Sequence, residues 1–158
     1  MRNHFLLTGI PGTGKTTVSD YLQRNYGFIH YNFEDLNTLG LFSQNISGFT
    51  SRALAQKKVV ISWGFMPFGH TEHVIELKRR GFSLIWFDGN RQTAFREFMK
   101  RNTVSEEAFR IQMSNIASSN VVERIQPIII NTFDDSGQFK KLEEIVKEIL
   151  ESSEKLFQ

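Results

Sequence analysis

Residues 4–22 read "HFLLTGIPGTGKTTVSDYL", and this stretch decides the fold. Within it, the segment from Gly9 to Thr16 has the spacing G-x-x-x-x-G-K-T, which is the pattern of a phosphate-binding loop. The apolar residues before the loop predict a buried strand. The apolar positions after it recur at helical spacing and predict a helix. Because the pattern requires this strand–loop–helix context, the match indicates an α/β protein that binds nucleotide phosphates.

The residue types in this loop suit polyphosphate binding. Glycines let successive backbone N–H groups point inward, and the N-terminus of the following helix adds its positive dipole end. Lys15 is placed to reach the β- and γ-phosphates, and the Thr16 hydroxyl to ligate Mg²⁺. We therefore expect ATP and Mg²⁺ as ligands. The predicted nucleotide-binding residues are Gly9, Gly12, Thr13, Gly14, Lys15, Thr16 and Thr17.

The composition predicts one folded domain spanning residues 1–158. Apolar residues make up 40 % of the chain and charged residues 23 %, as in ordinary globular domains. The absence of cysteine excludes disulfides and thiolate metal sites, and it favours a cytoplasmic location. No apolar stretch is long enough to cross a membrane, so we expect no membrane partner.

The charge pattern does not favour a nucleic-acid partner. Net charge is only +2, and the one dense basic triplet, Lys78 to Arg80, ends a predicted helix just before Gly81. Cations are common at helix C-termini because they complement the dipole. We therefore expect a small-molecule acceptor as the partner. The sequence does not distinguish a monomer from a homodimer.

Apolar segments and helical patterns alternate along the chain. This order predicts a five-stranded parallel sheet with helices on both faces. A capping box at Thr103 and Glu106 is expected to open the fifth helix. The predicted strands are residues 4–9, 28–33, 59–64, 82–87 and 127–133, and the predicted helices are 15–25, 49–57, 70–80, 91–101, 104–119 and 138–155.

Acidic residues follow the second predicted strand. Ligands gather at the carboxyl edge of a parallel sheet, so Glu34 or Asp35 is a candidate to organise Mg²⁺ or to take a proton from an attacking hydroxyl. The alternative is that an acid at this strand-to-helix junction caps the helix.

The ends of the third and fourth strands supply further candidates. Trp63 and Gly64 begin a segment that either walls a substrate pocket or is a turn whose aromatic rings belong to the core. Asp88, after four apolar residues, is a candidate metal-organising acid or a turn residue. Arg96 and Arg101 are catalytic candidates that would stabilise transferring phosphate from a lid, the alternative being surface charge.

The chain resembles the small P-loop kinases, the group that holds adenylate and other nucleoside monophosphate kinases, shikimate kinase and gluconate kinase. The resemblance rests on the loop from Gly9 to Thr17. Residues 32–34, Asn-Phe-Glu, stand where shikimate-kinase-like members have Asp-x-Asp. Residues 63–67, Trp-Gly-Phe-Met-Pro, stand where adenylate kinases have Asp-Gly-Phe-Pro, so one acid is absent.

The resemblance implies a strand order of 2-3-1-4-5, with ATP on the loop and adenine near residues 131–137. It also implies a short acceptor segment, residues 34–58, and a short lid, residues 91–105. Arg52 is the sole arginine of the acceptor segment and a candidate anchor for an anionic acceptor.

These features together favour an ATP-dependent phosphotransferase that acts on a nucleoside, a nucleotide or a hydroxylated metabolite. Lys15, Glu34 or Asp35, and the lid arginines would be its catalytic residues. The alternative is a nucleotide-binding module or slow ATPase that works through a partner and has no acceptor of its own.

Overall fold

The computed structural model describes residues 3–101 and 103–156. Five parallel strands form one sheet in the order β2-β3-β1-β4-β5, which confirms the expected order and fold class. The strands are β1 (His4–Gly9), β2 (Ile29–Asn32), β3 (Val59–Ser62), β4 (Ser83–Asp88) and β5 (Ile128–Asn131).

Eight helices connect or flank these strands within the described part of the chain. They are α1 (Lys15–Tyr26), α2 (Leu36–Gln44), α3 (Ile46–Ala55), α4 (Pro67–Arg80), α5 (Arg91–Met99), α6 (Glu106–Ser119), α7 (Val121–Ile125) and α8 (Leu142–Lys155).

The central strands are buried on both faces, so their apolar residues are continuous rather than alternating. In β1, Phe5 and Leu7 face one helical layer and Leu6 faces the other. The first layer consists of α1 and α8, and the second contains α2 to α7. The protein is therefore a three-layer α/β/α structure.

Three local predictions were wrong. One helix was predicted between β2 and β3, over residues 49–57, but there are two, because Asp35 and Asn45 each accept a hydrogen bond from a backbone N–H and cap α2 and α3. Ser105, not Thr103, caps α6, and its hydroxyl accepts from the Ala108 N–H at 3.1 Å. Helix α8 begins at residue 142 because Phe139 pairs with Phe133 in an isolated β-bridge.

The start of the phosphate-binding loop is fixed by the sheet. Gly9 ends β1 beside Phe87 of β4 and has a φ of 133°. A Cβ atom on Gly9 would lie 2.1 Å from the Phe87 carbonyl oxygen, so only glycine fits there. The loop therefore leaves the sheet at its carboxyl edge, where the ends of β2, β3 and β4 also lie.

No helix among residues 3–101 and 103–156 has both the length and the apolar character to cross a bilayer.

Candidate active site

The loop after β1 is a cradle of backbone donors. Gly12 and Gly14 have φ values of 80° and 89°, in the left-handed region that favours glycine. The N–H groups of residues 12–17 make no hydrogen bond to any described residue, and α1 begins at Lys15. Unpaired donors at a helix N-terminus are groups that can bind anionic oxygens.

The Lys15 side chain folds back onto the start of the same loop. Its Nζ donates to the carbonyl oxygen of Ile10 at 2.9 Å. Burial lowers the pKa of Lys15 to about 8. The nearby charge of Glu34 raises that pKa, and the charge of Arg101 lowers it further. The ammonium is thus poorly solvated and next to a second cation, which favours the arrival of an anion.

Glu34 reaches the same place from β2. Its Oε1 accepts from the Gly64 N–H at 2.9 Å, so the carboxylate is held against the end of β3. A Cβ atom on Gly64 would lie 3.2 Å from that oxygen and 4.0 Å from the Lys15 Nζ. Gly64 therefore leaves the space in which the carboxylate and the ammonium approach each other.

These groups open onto a cavity of about 610 Å³. Its lining combines the phosphate-binding loop, the ends of β2 and β3, the start of α4, the end of α5 and one face of α6. The lining residues are Gly9, Pro11, Lys15, Thr16, Glu34, Ser62, Trp63, Gly64, Phe65, Met66, Pro67, Phe98, Arg101, Ile111, Gln112, Asn115 and Ile116.

Seven of the predicted site residues therefore line one cavity: Gly9, Lys15, Thr16, Glu34, Trp63, Gly64 and Arg101. The Trp63 ring lines this cavity but is only 3 % exposed, and it packs against the core rings of Phe33 and Phe42. Trp63 therefore lines the cavity and also belongs to the core. Arg101 lies over the Phe98 ring at 5.8 Å, which directs its stem along the cavity edge.

The other predicted residues lie elsewhere. Asp35 caps α2 and accepts from the Asn37 N–H at 2.9 Å. Arg52 is exposed on α3, outside the cavity lining. Asp88 accepts from the Gly89 N–H at 2.8 Å and forms an ion pair with Arg91. Cap and turn geometry therefore account for the positions of the two acids.

A second loop lies over the cradle from the other side. The Thr132 hydroxyl donates to the carbonyl oxygen of Thr13 at 2.9 Å. The Phe139 ring, 40 % exposed, would stand 3.2 Å from a Cβ atom on Gly14. Arg96 lies near this loop, with its Nη2 at 3.5 Å from where a Cβ atom on Gly137 would be. Arg96 is thus separated from the cavity that Arg101 lines.

Sequence reasoning missed a chain of three polar residues next to the cavity, in which the His30 side chain is buried and the Asp20 side chain is half exposed. His30 Nδ1 lies 2.9 Å from Asp20 Oδ1, and His30 Nε2 lies 2.7 Å from the Ser62 hydroxyl. The Asp20 carboxylate requires a proton on Nδ1, so the neutral ring accepts from Ser62 at Nε2. Burial lowers the pKa of His30, and the contact with Asp20 opposes that shift. The three residues come from α1, β2 and β3, so no local spacing marks them.

The face of α6 was also missed. Ile111 and Asn115 are four residues apart, as are Gln112 and Ile116, so the four side chains share one stripe. Their spacing was the available signal, but an apolar–amide stripe on a helix is typical of ordinary packing. Among the described residues, no group of three or more His, Cys, Asp or Glu side chains could hold a metal ion.

Comparison with known proteins gives a consistent picture. No family profile matches the chain. It is 28 % identical over 76 residues to the adenylate kinase of Mycoplasmopsis pulmonis (strain UAB CTIP), covering 48 % of this chain and 33 % of that protein. It is 49 % identical over 41 residues to the adenylate kinase of Malacoplasma penetrans (strain HF-2), covering 26 % and 17 %. The matches thus span a third or less of these curated relatives.

Solved structures match over nearly the whole chain. A gluconokinase from Sinorhizobium meliloti 1021 gives a TM-score of 0.62 at 14 % identity, covering 99 % of this chain and 95 % of that one. A shikimate kinase from Bacteroides thetaiotaomicron gives 0.61 at 18 % identity, covering 96 % and 98 %. At the level of the fold, these matches confirm the resemblance found in the sequence.

Proposed function

We propose that this chain, which has the fold of the small P-loop kinases, is an ATP-dependent phosphotransferase that acts on a small hydroxyl-bearing acceptor. One observation carries the proposal: the unpaired N–H groups of residues 12–17 adjoin a cavity in which Lys15 and Glu34 approach each other. Partial sequence likeness to adenylate kinases supports the same class of reaction.

In the proposed reaction, the acceptor oxygen bonds to the γ-phosphorus of ATP. The bond from that phosphorus to the β–γ bridging oxygen breaks, and ADP leaves with the electron pair. Glu34 accepts the proton of the acceptor hydroxyl. Its Oε1 already accepts from Gly64, which fixes the carboxylate beside the reacting atoms and leaves Oε2 for the hydroxyl.

The cations stabilise the charge that moves during transfer. Lys15 neutralises charge on the β- and γ-phosphates, and Arg101 approaches the γ-phosphoryl group from the lid side. Thr16, whose hydroxyl has no partner among the described residues, would ligate Mg²⁺ directly, and Glu34 through water. The metal would neutralise charge on the bridging and terminal phosphate oxygens.

The remaining predicted residues have other places in the proposal. Arg96, beside Gly137, contacts the nucleotide on its base side, where the exposed Phe139 ring offers a stacking surface. Asp35 and Asp88 keep their roles in the α2 cap and the ion pair with Arg91. A cytoplasmic location, where ATP is supplied, is part of the same proposal.

The test is acceptor-dependent formation of ADP. Purified protein with Mg-ATP is assayed against nucleosides, nucleotides, and sugar and carboxylic-acid alcohols, and the phosphorylated product is identified by mass spectrometry. Lys15→Ala is the matched variant and is expected to lose ATP binding while keeping its fold, because removal of a poorly solvated ammonium relieves a burial cost.

Three results would contradict the proposal. ADP released at the same rate with and without acceptors would indicate an ATPase. Tight ATP binding without any turnover would indicate a nucleotide-binding module. Unchanged ATP affinity in Lys15→Ala would remove the phosphate site on which the proposal depends.

A further inference from the structure

Charge is unevenly distributed around the cavity. Two of its three charged lining residues, Lys15 and Arg101, interact electrostatically, and Lys15 belongs to the phosphate-binding loop; the third is Glu34. A further part of the lining consists of uncharged side chains from the turn between β3 and α4 and from α6. We call it the acceptor wall; its residues are Trp63, Phe65, Met66, Ile111, Gln112, Asn115 and Ile116.

The two cations serve the phosphate end. Arg101 is close enough to Lys15 to lower the pKa of its ammonium, so both charges act on the same region. Glu34, held by Gly64, places a negative charge beside the acceptor wall. Arg52 is exposed on α3 and does not line the cavity. No cation among the described lining residues is therefore left to bind an anionic acceptor.

The polar groups of the acceptor wall are primary amides. Gln112 and Asn115 make no side-chain hydrogen bond to another described residue. An amide offers a donor and an acceptor, which suits a hydroxyl, a carbonyl or the edge of a heterocycle. Ile111, 52 % exposed, and Met66, 65 % exposed, flank these amides with apolar surface that a ring could cover.

We propose that the phosphate acceptor is an uncharged molecule of the nucleoside class, which places an apolar ring face and a hydrogen-bonding edge on the acceptor wall and its hydroxyl toward Glu34. This inference rests on the proposed phosphotransferase function and narrows its acceptor. A nucleoside monophosphate or a carboxylate would bring an unpaired anion beside the Glu34 carboxylate, at a cost in desolvation and repulsion.

The test compares neutral molecules with anionic counterparts that carry an added phosphate group or a free carboxylate. Binding is measured with the phosphate-binding loop saturated by Mg²⁺ and a non-hydrolysable ATP analogue, by saturation-transfer NMR and by the quenching of tryptophan fluorescence. The pairs are adenosine and AMP, uridine and UMP, thymidine and TMP, and methyl shikimate and shikimate. We expect the neutral member of at least one nucleoside pair to bind about tenfold or more tightly than its anion. Tighter or equal binding of the anions, or failure of every nucleoside to bind at millimolar concentration, would overturn the inference.

Two substitutions locate the binding wall. Ile111→Asp puts a charge on the acceptor wall, and we expect it to weaken nucleoside binding about tenfold. Ile129→Asp is the matched control, because Ile129 is 55 % exposed on β5 and outside the cavity lining. Circular dichroism verifies that both variants fold. Equal effects of the two substitutions would show that α6 is not the acceptor wall.

Two further measurements on the same protein distinguish a failure of the neutral-acceptor inference from a failure of the phosphotransferase proposal. ATP affinity is measured by calorimetry in each preparation, and transfer to the bound nucleoside by product mass. If ATP does not bind, the phosphotransferase proposal fails. If ATP binds and phosphate is transferred only to anionic acceptors, the phosphotransferase proposal stands and the neutral-acceptor inference alone fails.

Discussion

In the proposed function, the two ends of the cavity recognise ligands by different means. The phosphate cradle uses backbone N–H groups from six consecutive residues, 12–17, and its geometry is set by glycines with positive φ. The acceptor wall uses side chains spread from Trp63 to Ile116. A backbone site depends on local conformation and tolerates few substitutions. A side-chain site can change its ligand by replacing single residues on an unchanged scaffold.

The largest effect should come from blocking the cradle. In Gly12→Ala the new Cβ atom would lie 2.1 Å from the Ala94 carbonyl oxygen, at a φ of 80°. We expect a stability loss of about 2–4 kcal/mol and a fall in ATP affinity of more than about 100-fold. Thermal unfolding and calorimetric titration with ATP measure the two losses.

The matched control for that substitution is Gly27→Ala. Gly27 has a φ of 75° but no atom within 4 Å of the new Cβ, so only the conformational strain of about 1–2 kcal/mol applies. ATP affinity should not change. Equal effects of both substitutions on ATP affinity would mean that the close approach to Ala94 does not shape the cradle.

The next effect concerns Arg101, the second cation that lines the cavity. Arg101→Ala should lower the rate of phosphoryl transfer about 10- to 100-fold with little change in folding, because the guanidinium is exposed and stabilises the moving charge. Arg52→Ala, outside the cavity, should stay within about twofold of the parent rate. Single-turnover kinetics with an acceptor found in the screen would measure both. A larger loss in Arg52→Ala would restore Arg52 as an acceptor anchor.

A smaller effect should appear as a pH dependence of ATP binding. The pKa of Lys15 is about 8 in the free protein, and bound phosphates raise it. The bound state therefore holds more protons than the free state above pH 8, so affinity should fall as pH rises, by at most about tenfold per pH unit. Calorimetry in two buffers of different ionisation enthalpy would detect the proton taken up.

The variant Glu34→Gln tests whether the Glu34 carboxylate influences this pH dependence. The Glu34 charge raises the pKa of Lys15, so its removal should start the loss of ATP affinity at a lower pH. An unchanged pH profile of ATP binding would mean that the Glu34 charge does not affect the pKa of Lys15.

The smallest effect should come from the chain of three polar residues next to the cavity. Burial lowers the pKa of His30 in the folded protein, whereas an unfolded histidine has a pKa near 6.5. Below about pH 6.5, the unfolded chain therefore binds more protons than the folded protein. Stability is then complete above that pH and decreases as pH falls through the lowered pKa. His70, whose pKa burial also lowers, adds in the same direction. In His30→Gln, thermal unfolding between pH 7 and pH 5 should depend less on pH than in the parent.

The cradle could be predicted from the sequence because its donors are consecutive and its spacing is strict. The sheet could be predicted because β1 and β4 are buried on both faces and their apolar runs are continuous. The split between α2 and α3 could have been anticipated only from Asn45, a cap residue that also suits a loop.

The cavity residues were harder because several roles compete for the same residue type. Asp35 and Asp88 stand at strand ends, where acids serve equally as caps, ion-pair partners or metal ligands. Only tertiary contacts separate these roles. The α6 residues and the chain from Asp20 to Ser62 are brought together by packing between elements distant in sequence, which local patterns do not encode.

The hydrogen bond from the Thr132 hydroxyl to the Thr13 carbonyl joins two loops that are 119 residues apart. In the proposed function, this bond holds the loop beside the proposed base site, residues 131–137, next to the loop that would bind the phosphates. We therefore expect ATP to bind more tightly than tripolyphosphate, which lacks the ribose and the base.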